Sequence, residues 1–352
     1  MSPQQKALIL PKRRGAFEVG SRKIPSPRAG QLLVKIESAA LNPADYKIKD
    51  TGMIVTNYPA VLGTDIAGIV EEVGEGVQNF RKGDRVSDNS FIRLAHGKYN
   101  NDFTAFQQYT LTVASFTAKI PPNESCDSAA TVPLGLDTAL VGLYGKQNGA
   151  GITPPWTKSA GSHESKRPIV ILGGSSSVGS YAIQLASLSG FYPIITTASP
   201  RNEELVRDYG ATHFLDRNLS GKQLLAAIRK VTDGPIKVVY DVISLPETQS
   251  VAWDLLANNG TLVLTQSASV KEDEGKGRKV IVTFGNPHNP QNEQLCCNSW
   301  ARVEKWLSEG TIQPNKYEVL PNGLEGIVGG LERIKSGEVS GTKLVAHPQE
   351  TQ

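Results

Sequence analysis

Ile169-Val-Ile-Leu-Gly-Gly-Ser-Ser-Ser-Val-Gly179, running on into Ser180-Tyr-Ala-Ile-Gln-Leu-Ala186, decides the fold. Four apolar residues form a buried strand, a turn of small residues follows, and the turn opens a helix. This arrangement presents backbone N–H groups and a helix N-terminus to a pyrophosphate. As a fingerprint, Gly174-x-Ser176-x-x-Gly179 has Ser at the middle glycine position. The cofactor contacts expected from this turn are Gly173, Gly174, Ser175, Ser176, Ser177, Val178 and Gly179, where only small residues keep the backbone from the phosphates.

The surrounding pattern supports that reading. Strand-like segments at 168–172, 193–197, 213–215, 237–241, 261–264 and 280–284 alternate with helical patterns at 178–189, 201–209, 221–231 and 246–257. Six strands with intervening helices read as a doubly wound parallel sheet of the Rossmann type. Before about residue 120 the texture differs. Val34–Leu41, Ile66–Val73 and Ala105–Val113 alternate apolar and polar residues between glycine-marked turns, which suggests a small β-barrel or sandwich. A helix near Glu293–Gly310 and a β-like tail ending Gly341-Thr-Lys-Leu-Val345 return to the first texture. The expected organisation is a β-rich domain over 1–125, an inserted dinucleotide-binding domain over 126–290, and the rest of the first domain over 291–352. The polar stretch 145–167, rich in Gly, Pro and Ser, reads as an exposed loop.

Bulk properties narrow the class. The 352 residues allow two cores, and a formal charge of +3 without a Lys/Arg block argues against nucleic acid or membrane-surface binding. The opening residues carry an apolar run too short for a signal peptide, and no uncharged segment approaches a membrane span of about 20 residues. Cys126, Cys296 and Cys297 show no metal-ligand spacing, so a reduced, cytoplasmic setting is expected.

The end of the second strand speaks to which dinucleotide binds. An NAD site places a carboxylate there for the ribose 2′-hydroxyl. Ile195-Thr-Thr-Ala-Ser-Pro-Arg-Asn202 has none before Glu203. Thr197, Ser199 and Arg201 suit a 2′-phosphate, so NADPH is expected, with Tyr209 lining the same pocket. The plain alternative is that Ser199-Pro200 caps the next helix while Arg201 and Arg207 face solvent.

Gly63-Thr-Asp-Ile-Ala-Gly-Ile-Val-Glu-Glu-Val-Gly-Glu-Gly-Val77, Gly83-Asp-Arg-Val86 and Leu41-Asn-Pro-Ala-Asp-Tyr-Lys47 carry a family likeness. In them the chain resembles the medium-chain dehydrogenase/reductase superfamily, in its zinc-independent quinone and enoyl reductase branch. The likeness runs from about Lys6 to Val345, with the motifs in the expected order. The Gly-Gly-Ser turn, Ser199-Pro200 and the 145–167 insert further resemble fungal trans-acting enoyl reductases, which partner polyketide synthases. The resemblance implies a GroES-like β-rich catalytic domain with an inserted Rossmann sheet. It also implies that Asn42, Thr64 and Leu134 stand where zinc-dependent relatives carry Cys, His and Cys. None is a good zinc ligand, and Asp65 alone would not hold the ion, so no metal is expected.

Without a Lewis acid, an acceptor that already carries a polarised double bond is the natural substrate: an enone, an enoyl thioester or a quinone. By the same resemblance Lys47, on the Asn-Pro-Ala-Asp-Tyr-Lys turn, is the candidate proton donor or oxyanion stabiliser, with Tyr46 its rival. Thr138 and Asn42 are expected beside the nicotinamide, its ribose or the substrate carbonyl. Each has a plainer reading: surface lysine, packed tyrosine, helix-interior threonine, turn-forming asparagine. The alternatives to a reductase of free small molecules are a reductase of chains carried by a polyketide synthase and a non-catalytic, crystallin-like NADPH-binding protein. A zinc-restored alcohol dehydrogenase is the third.

Overall fold

The computed structural model describes residues 3–89, 99–157, 167–272 and 275–352. The chain divides into two compact units: Met1–Leu134 with Cys297–Gly310 and Pro314–Gln352, and Gly135–Cys296 with Thr311–Gln313.

The first unit begins with strands β1 (Gln4–Leu10), β2 (Glu18–Lys23) and β3 (Gln31–Ala40), then helix α1 (Pro43–Thr51). Strands β4 (Ala60–Val61), β5 (Asp65–Val73), β6 (Arg85–Asn89), β7 (Tyr109–Val113) and β8 (Thr117–Lys119) follow, with the short helix α2 (Cys126–Ala130) closing this run. Buried residues of β1 and β3 feed a core that includes Leu8, Leu32, Ile36, Ile66 and Phe106. Gly68 is required where β5 crosses β3, because a Cβ there would lie 2.1 Å from the Lys35 carbonyl oxygen.

The second unit runs α3 (Pro133–Tyr144), β9 (Ile169–Leu172), α4 (Ser177–Leu188), β10 (Ile194–Ala198), α5 (Glu203–Asp208), β11 (His213–Asp216) and α6 (Gly221–Val231). It continues through β12 (Val238–Asp241), α7 (Pro246–Leu255), β13 (Thr261–Leu264) and β14 (Lys279–Val282), and α8 (Glu293–Ser308) leads back to the first unit. There β15 (Tyr317–Val319), α9 (Gly323–Lys335) and β16 (Lys343–Ala346) complete the seven-stranded sheet, in which β16 pairs with β3 and β3 with β5.

The six strands of the second unit stand in the order β11-β10-β9-β12-β13-β14, all parallel. The expected α/β architecture is thus present: a GroES-like β-rich unit whose sequence is interrupted by a unit with a Rossmann doubly wound sheet. Order reverses between β9 and β12, so the Gly-rich turn after β9 lies at the switch point where such sheets bind ligands.

Three expectations change. Residues 43–51 form a helix, not a turn. Asn42 takes the N-cap, Pro43 the first helical position, and Asp45 Oδ2 accepts from Asn42 N at 2.8 Å. The boundary between the units falls at Leu134/Gly135 rather than after residue 125, because α2 packs on β3, β5 and β6. The described part of the 145–167 insert is not without core: Ile152 is buried and the Trp156 ring meets Tyr144 edge to face at 5.2 Å. Residues 158–166 of that expected loop lie outside the described residues. Among the described residues, no helix is long and apolar enough to cross a membrane.

Candidate functional site

In the Rossmann unit, the turn 173–179 is built around close backbone approach. Gly173 has φ +90°, which a side chain would strain, and a Cβ at Gly179 would sit 2.2 Å from the Gly173 carbonyl oxygen. A Cβ at Gly174 would lie 2.1 Å from Thr196 Oγ1. Ser176 caps α4, accepting from Gly179 N at 3.1 Å and donating to the Gly173 carbonyl at 2.7 Å. Gly173 N and Gly174 N are engaged by Thr197, whose carbonyl lies 3.2 and 2.9 Å away and whose Oγ1 accepts from Gly173 N at 3.0 Å.

Ser175 lies just before the N-cap Ser176, and the first-turn N–H groups of α4, Val178 among them, belong to a helix N-terminus and have no intrahelical acceptor. A glycine-lined cradle and a positive helix end fit the pyrophosphate of a dinucleotide. At the rim, Ser199 is the N-cap of the turn Pro200–Asn202, yet its hydroxyl makes no capping bond. Arg201 beside it is exposed and pairs with no carboxylate among the described residues. Arg207 instead pairs with Glu203 at 2.8 Å, and Tyr209 is buried at the end of α5. Thr138 is buried on α3; its carbonyl accepts from Tyr240 Oη at 2.7 Å, and the backbone of Gly285 packs against its side chain.

In the GroES-like unit, the helix α1 carries Tyr46 and Lys47 one after the other, behind the Asn42 cap. Lys47 is half-buried, and this desolvation holds its ammonium below the ordinary lysine value. Tyr46 packs partly buried against the core. Arg13 donates to the Thr51 carbonyl at 3.1 and 2.9 Å and Arg14 to the Asp50 carbonyl at 3.1 Å. Two cations thus sit at the negative end of α1, holding it in place.

Beneath α1 lies a polar cluster that sequence reading does not reveal. Asn42 Nδ2 donates to Thr64 Oγ1 at 3.0 Å and to Asp65 Oδ2 at 3.0 Å. Asp65 Oδ1 accepts from Leu134 N at 2.8 Å, and Asp65 Oδ2 forms an ion pair with Lys343 Nζ, both side chains buried. Asp45 is buried too; desolvation, reinforced by the charge of Asp65, pushes its carboxyl up to about 8. One ammonium compensates one carboxylate here, so Asp45 keeps its proton at neutral pH.

The structure therefore gathers Asn42, Thr64 and, through Asp65, Leu134, the three positions that the family resemblance sets against zinc ligands. An amide, a hydroxyl and a leucine are not a zinc donor set. The amide nitrogen faces inward, and the Asp65 carboxylate beside it is neutralised by Lys343. Among the described residues no group of three His, Cys, Asp or Glu could hold a metal ion. The residues present do not fit zinc.

Comparison with known proteins agrees with this architecture. The alcohol dehydrogenase GroES-like domain model matches residues 28–122, and the zinc-binding dehydrogenase model matches 177–289. A putative zinc-dependent alcohol dehydrogenase of Rhizobium etli superposes with a TM-score of 0.79 at 23% identity, over 99% of each chain. The JamJ enoyl reductase superposes with a TM-score of 0.74 at 20% identity, again over 99% of each chain. These define the medium-chain dehydrogenase/reductase fold. A trans-enoyl reductase, resD of Aspergillus sclerotiorum, is 33% identical over 93% of this chain and 95% of its own. The chain belongs to the enoyl reductases of that superfamily, whose members generally bind a nicotinamide cofactor.

Proposed function

We propose that the protein is an NADPH-dependent, metal-independent enoyl reductase that reduces the activated C=C of a chain built by a partner polyketide synthase. The observation that carries the reading is the polar cluster at Asn42, Thr64 and Asp65. Where metal-dependent relatives hold a Lewis acid, this chain has a hydrogen-bonded amide and a neutralised carboxylate. That suits reduction of an already polarised acceptor better than oxidation of an alcohol.

Bound NADPH would supply the hydride, delivered to the carbon β to the carbonyl. The turn 173–179 and the N-terminus of α4 would hold the pyrophosphate, and Arg201 and Ser199 would bind the 2′-phosphate. Lys47 stabilises the negative charge that develops on the carbonyl oxygen and then protonates the α-carbon. Its half-burial serves both tasks, because an ammonium poor in water is a stronger acid and a stronger partner for an enolate. Tyr46, packed on the core, orients α1 and takes no proton. Thr138 would offer its hydroxyl to the nicotinamide or to the substrate carbonyl. The full-length match to a trans-enoyl reductase supports the carrier-bound substrate.

The test is NADPH oxidation against three substrate sets: free enones, enoyl thioesters, and the same acyl groups on a synthase carrier domain. Turnover with carrier-loaded chains at a kcat/KM well above that of the free thioesters is expected. Equal rates on all three would overturn the partner reading. Stoichiometric zinc in active enzyme, lost with activity on chelation, would overturn the metal-independent mechanism.

A further inference from the structure

The segment His347–Thr351 lies across the first unit as a strap, and one imidazole fastens it. His347 Nε2 stands 2.8 Å from Asp127 Oδ1, and its Nδ1 stands 3.0 Å from Glu350 Oε1. A carboxylate only accepts, so both ring nitrogens must donate, and an imidazole with two N–H groups is the cation. Asp127 is fixed in turn by Ser38 on β3, whose hydroxyl donates to the same oxygen. The charged ring therefore ties α2 to the strap and closes the strap's own turn.

What the strap holds is the start of a helix. The N-cap residue of α9, Asn322, makes no side-chain capping bond. Thr351 supplies it from outside, its Oγ1 accepting from Leu324 N at 3.0 Å. The turn that delivers Thr351 is closed by Glu350 N donating to the His347 carbonyl at 3.0 Å. Gln349 Nε2 pins the same turn to the carbonyls of Ile36 at 3.0 Å and Gln108 at 2.8 Å. The helix so capped packs on α1 and pairs with it, Lys335 to Asp50 at 2.7 Å.

We propose that His347 is a pH-sensitive latch: charged, it keeps the strap closed and α9 capped; neutral, it releases Glu350 and loosens the cap. A neutral imidazole has one N–H and one lone pair. Turned to Asp127, the N–H leaves the lone pair against Glu350, whose side chain is 60% exposed and free to move into water. The other groups around His347 do not replace the lost proton. A cavity of about 410 Å³ beside the strap is also lined by Glu37, Arg85 and Cys126. Glu37 pairs with Lys35 at 3.1 Å, Arg85 donates to the Glu124 carbonyl at 2.5 Å, and burial pushes the Cys126 thiol up. From α9, the strap meets Gly323 and Leu324.

The direction of the switch follows. Desolvation, which lowers an imidazole, is outweighed by the hydrogen bonds to Asp127 and Glu350, so His347 titrates above its ordinary 6.5. A group raised in the folded state contributes fully below the ordinary value and stops contributing as pH rises through the folded one. The latch therefore opens on the alkaline side, and it depends on neither cofactor nor substrate.

The experiment is hydrogen exchange of the full chain, read by mass spectrometry over the first turn of α9 from about pH 6 to 8.5, with rates divided by those of an unstructured peptide at each pH. Protection of the parent is expected to fall about three- to fivefold across that range, the worth of a partly exposed ion pair. His347→Gln has a donor for one carboxylate only, so its protection should be low at every pH. Glu350→Gln gives the opposite result: its amide N–H can meet the ring's lone pair, so protection should stay high and stop depending on pH. Glu350 is exposed, so this variant tests the latch even should the His347 variant fail to fold. Protection of the parent that does not change with pH, or a Glu350→Gln variant that keeps the parent's pH dependence, would overturn the proposal. A His347 ring titrating at or below 6.5 by proton NMR would do the same.

Discussion

Replacing Asp45 by Asn should make the protein less stable in acid and more stable at neutral pH. Burial moves the Asp45 carboxyl from its ordinary 3.8 to about 8. Folded protein therefore holds a proton that the unfolded chain has released throughout that range. A group raised in the folded state contributes its full stability below the unfolded value and loses it as pH climbs to the folded one. The loss is about 1.4 kcal/mol per pH unit, or roughly 4 kcal/mol by pH 7. Asn cannot titrate, so the variant escapes that loss and keeps an oxygen to accept from Asn42 N. Its own cost is a buried amide N–H, since Asp45 Oδ1 has no partner to receive one; that costs about 1–3 kcal/mol. The net change is a loss of about 1–3 kcal/mol near pH 4 and a gain of about 1–3 kcal/mol near pH 7. Urea unfolding followed by the fluorescence of Trp300 and Trp306, both buried in the first unit, measures it. The informative quantity is the slope: the difference between variant and parent should grow by about 1.4 kcal/mol per pH unit from about pH 5 to 7.5. Parallel stability curves would show that Asp45 is ionised in the folded protein and that the charge balance argued for this cluster is wrong.

Lys47→Ala should lower kcat by about 100-fold and abolish the alkaline limb of the pH–rate profile, because the ammonium is the acid form and its pKa lies below the ordinary 10.5. Tyr46→Phe should leave kcat within about threefold, and a larger loss would transfer the proton to Tyr46. Arg201→Ala should raise the NADPH dissociation constant by one to two orders of magnitude, about what a charge-assisted phosphate contact is worth, and leave NADH binding unchanged; tighter NADH binding by the parent would refute the cofactor preference. Gly179→Ala should weaken either dinucleotide more than about tenfold in the same titration, since its Cβ meets backbone, not a side chain that can rotate away.

The Rossmann unit is legible because its signals are local. Strand period, a run of small residues and the helix behind it all fall within residues 169–186, and the observed strands begin and end within two residues of those read from the sequence. Helix α1 is equally local, yet Asn42-Pro43 taken by itself reads as a turn. Asn42-Pro43-Ala44-Asp45 carries an N-cap, a proline at the first helical position and an acidic residue at the third. The carboxylate three residues on is what distinguishes a helix start from a turn. The difference bears on the proposed role of Lys47, since a helix capped at both ends would fix its direction of approach, which a loop would not.

The cluster under α1 shows why the other half of the site is hidden from sequence. That Asn42, Thr64 and Leu134 make a poor zinc donor set is readable from residue type, once the resemblance assigns them to those places. What replaces the metal is not, for Lys343 lies 278 residues from Asp65 and reaches it only through sheet pairing. A lysine in Gly341-Thr-Lys-Leu-Val345 reads as one more solvent-facing strand residue until β16 is placed against β3. Once it is, the buried ammonium supplies a positive charge near the place the family gives to a cation, but one that hydrogen-bonds inward and cannot take a substrate oxygen as a ligand. On the proposed metal-independent reading Lys343, paired with Asp65, takes the structural share a metal would have, balancing a carboxylate and fixing the residues around it. On the same reading nothing in the cluster supplies Lewis acidity, so electrophilic help would come from Lys47 and the enzyme would be confined to acceptors polarised before they bind.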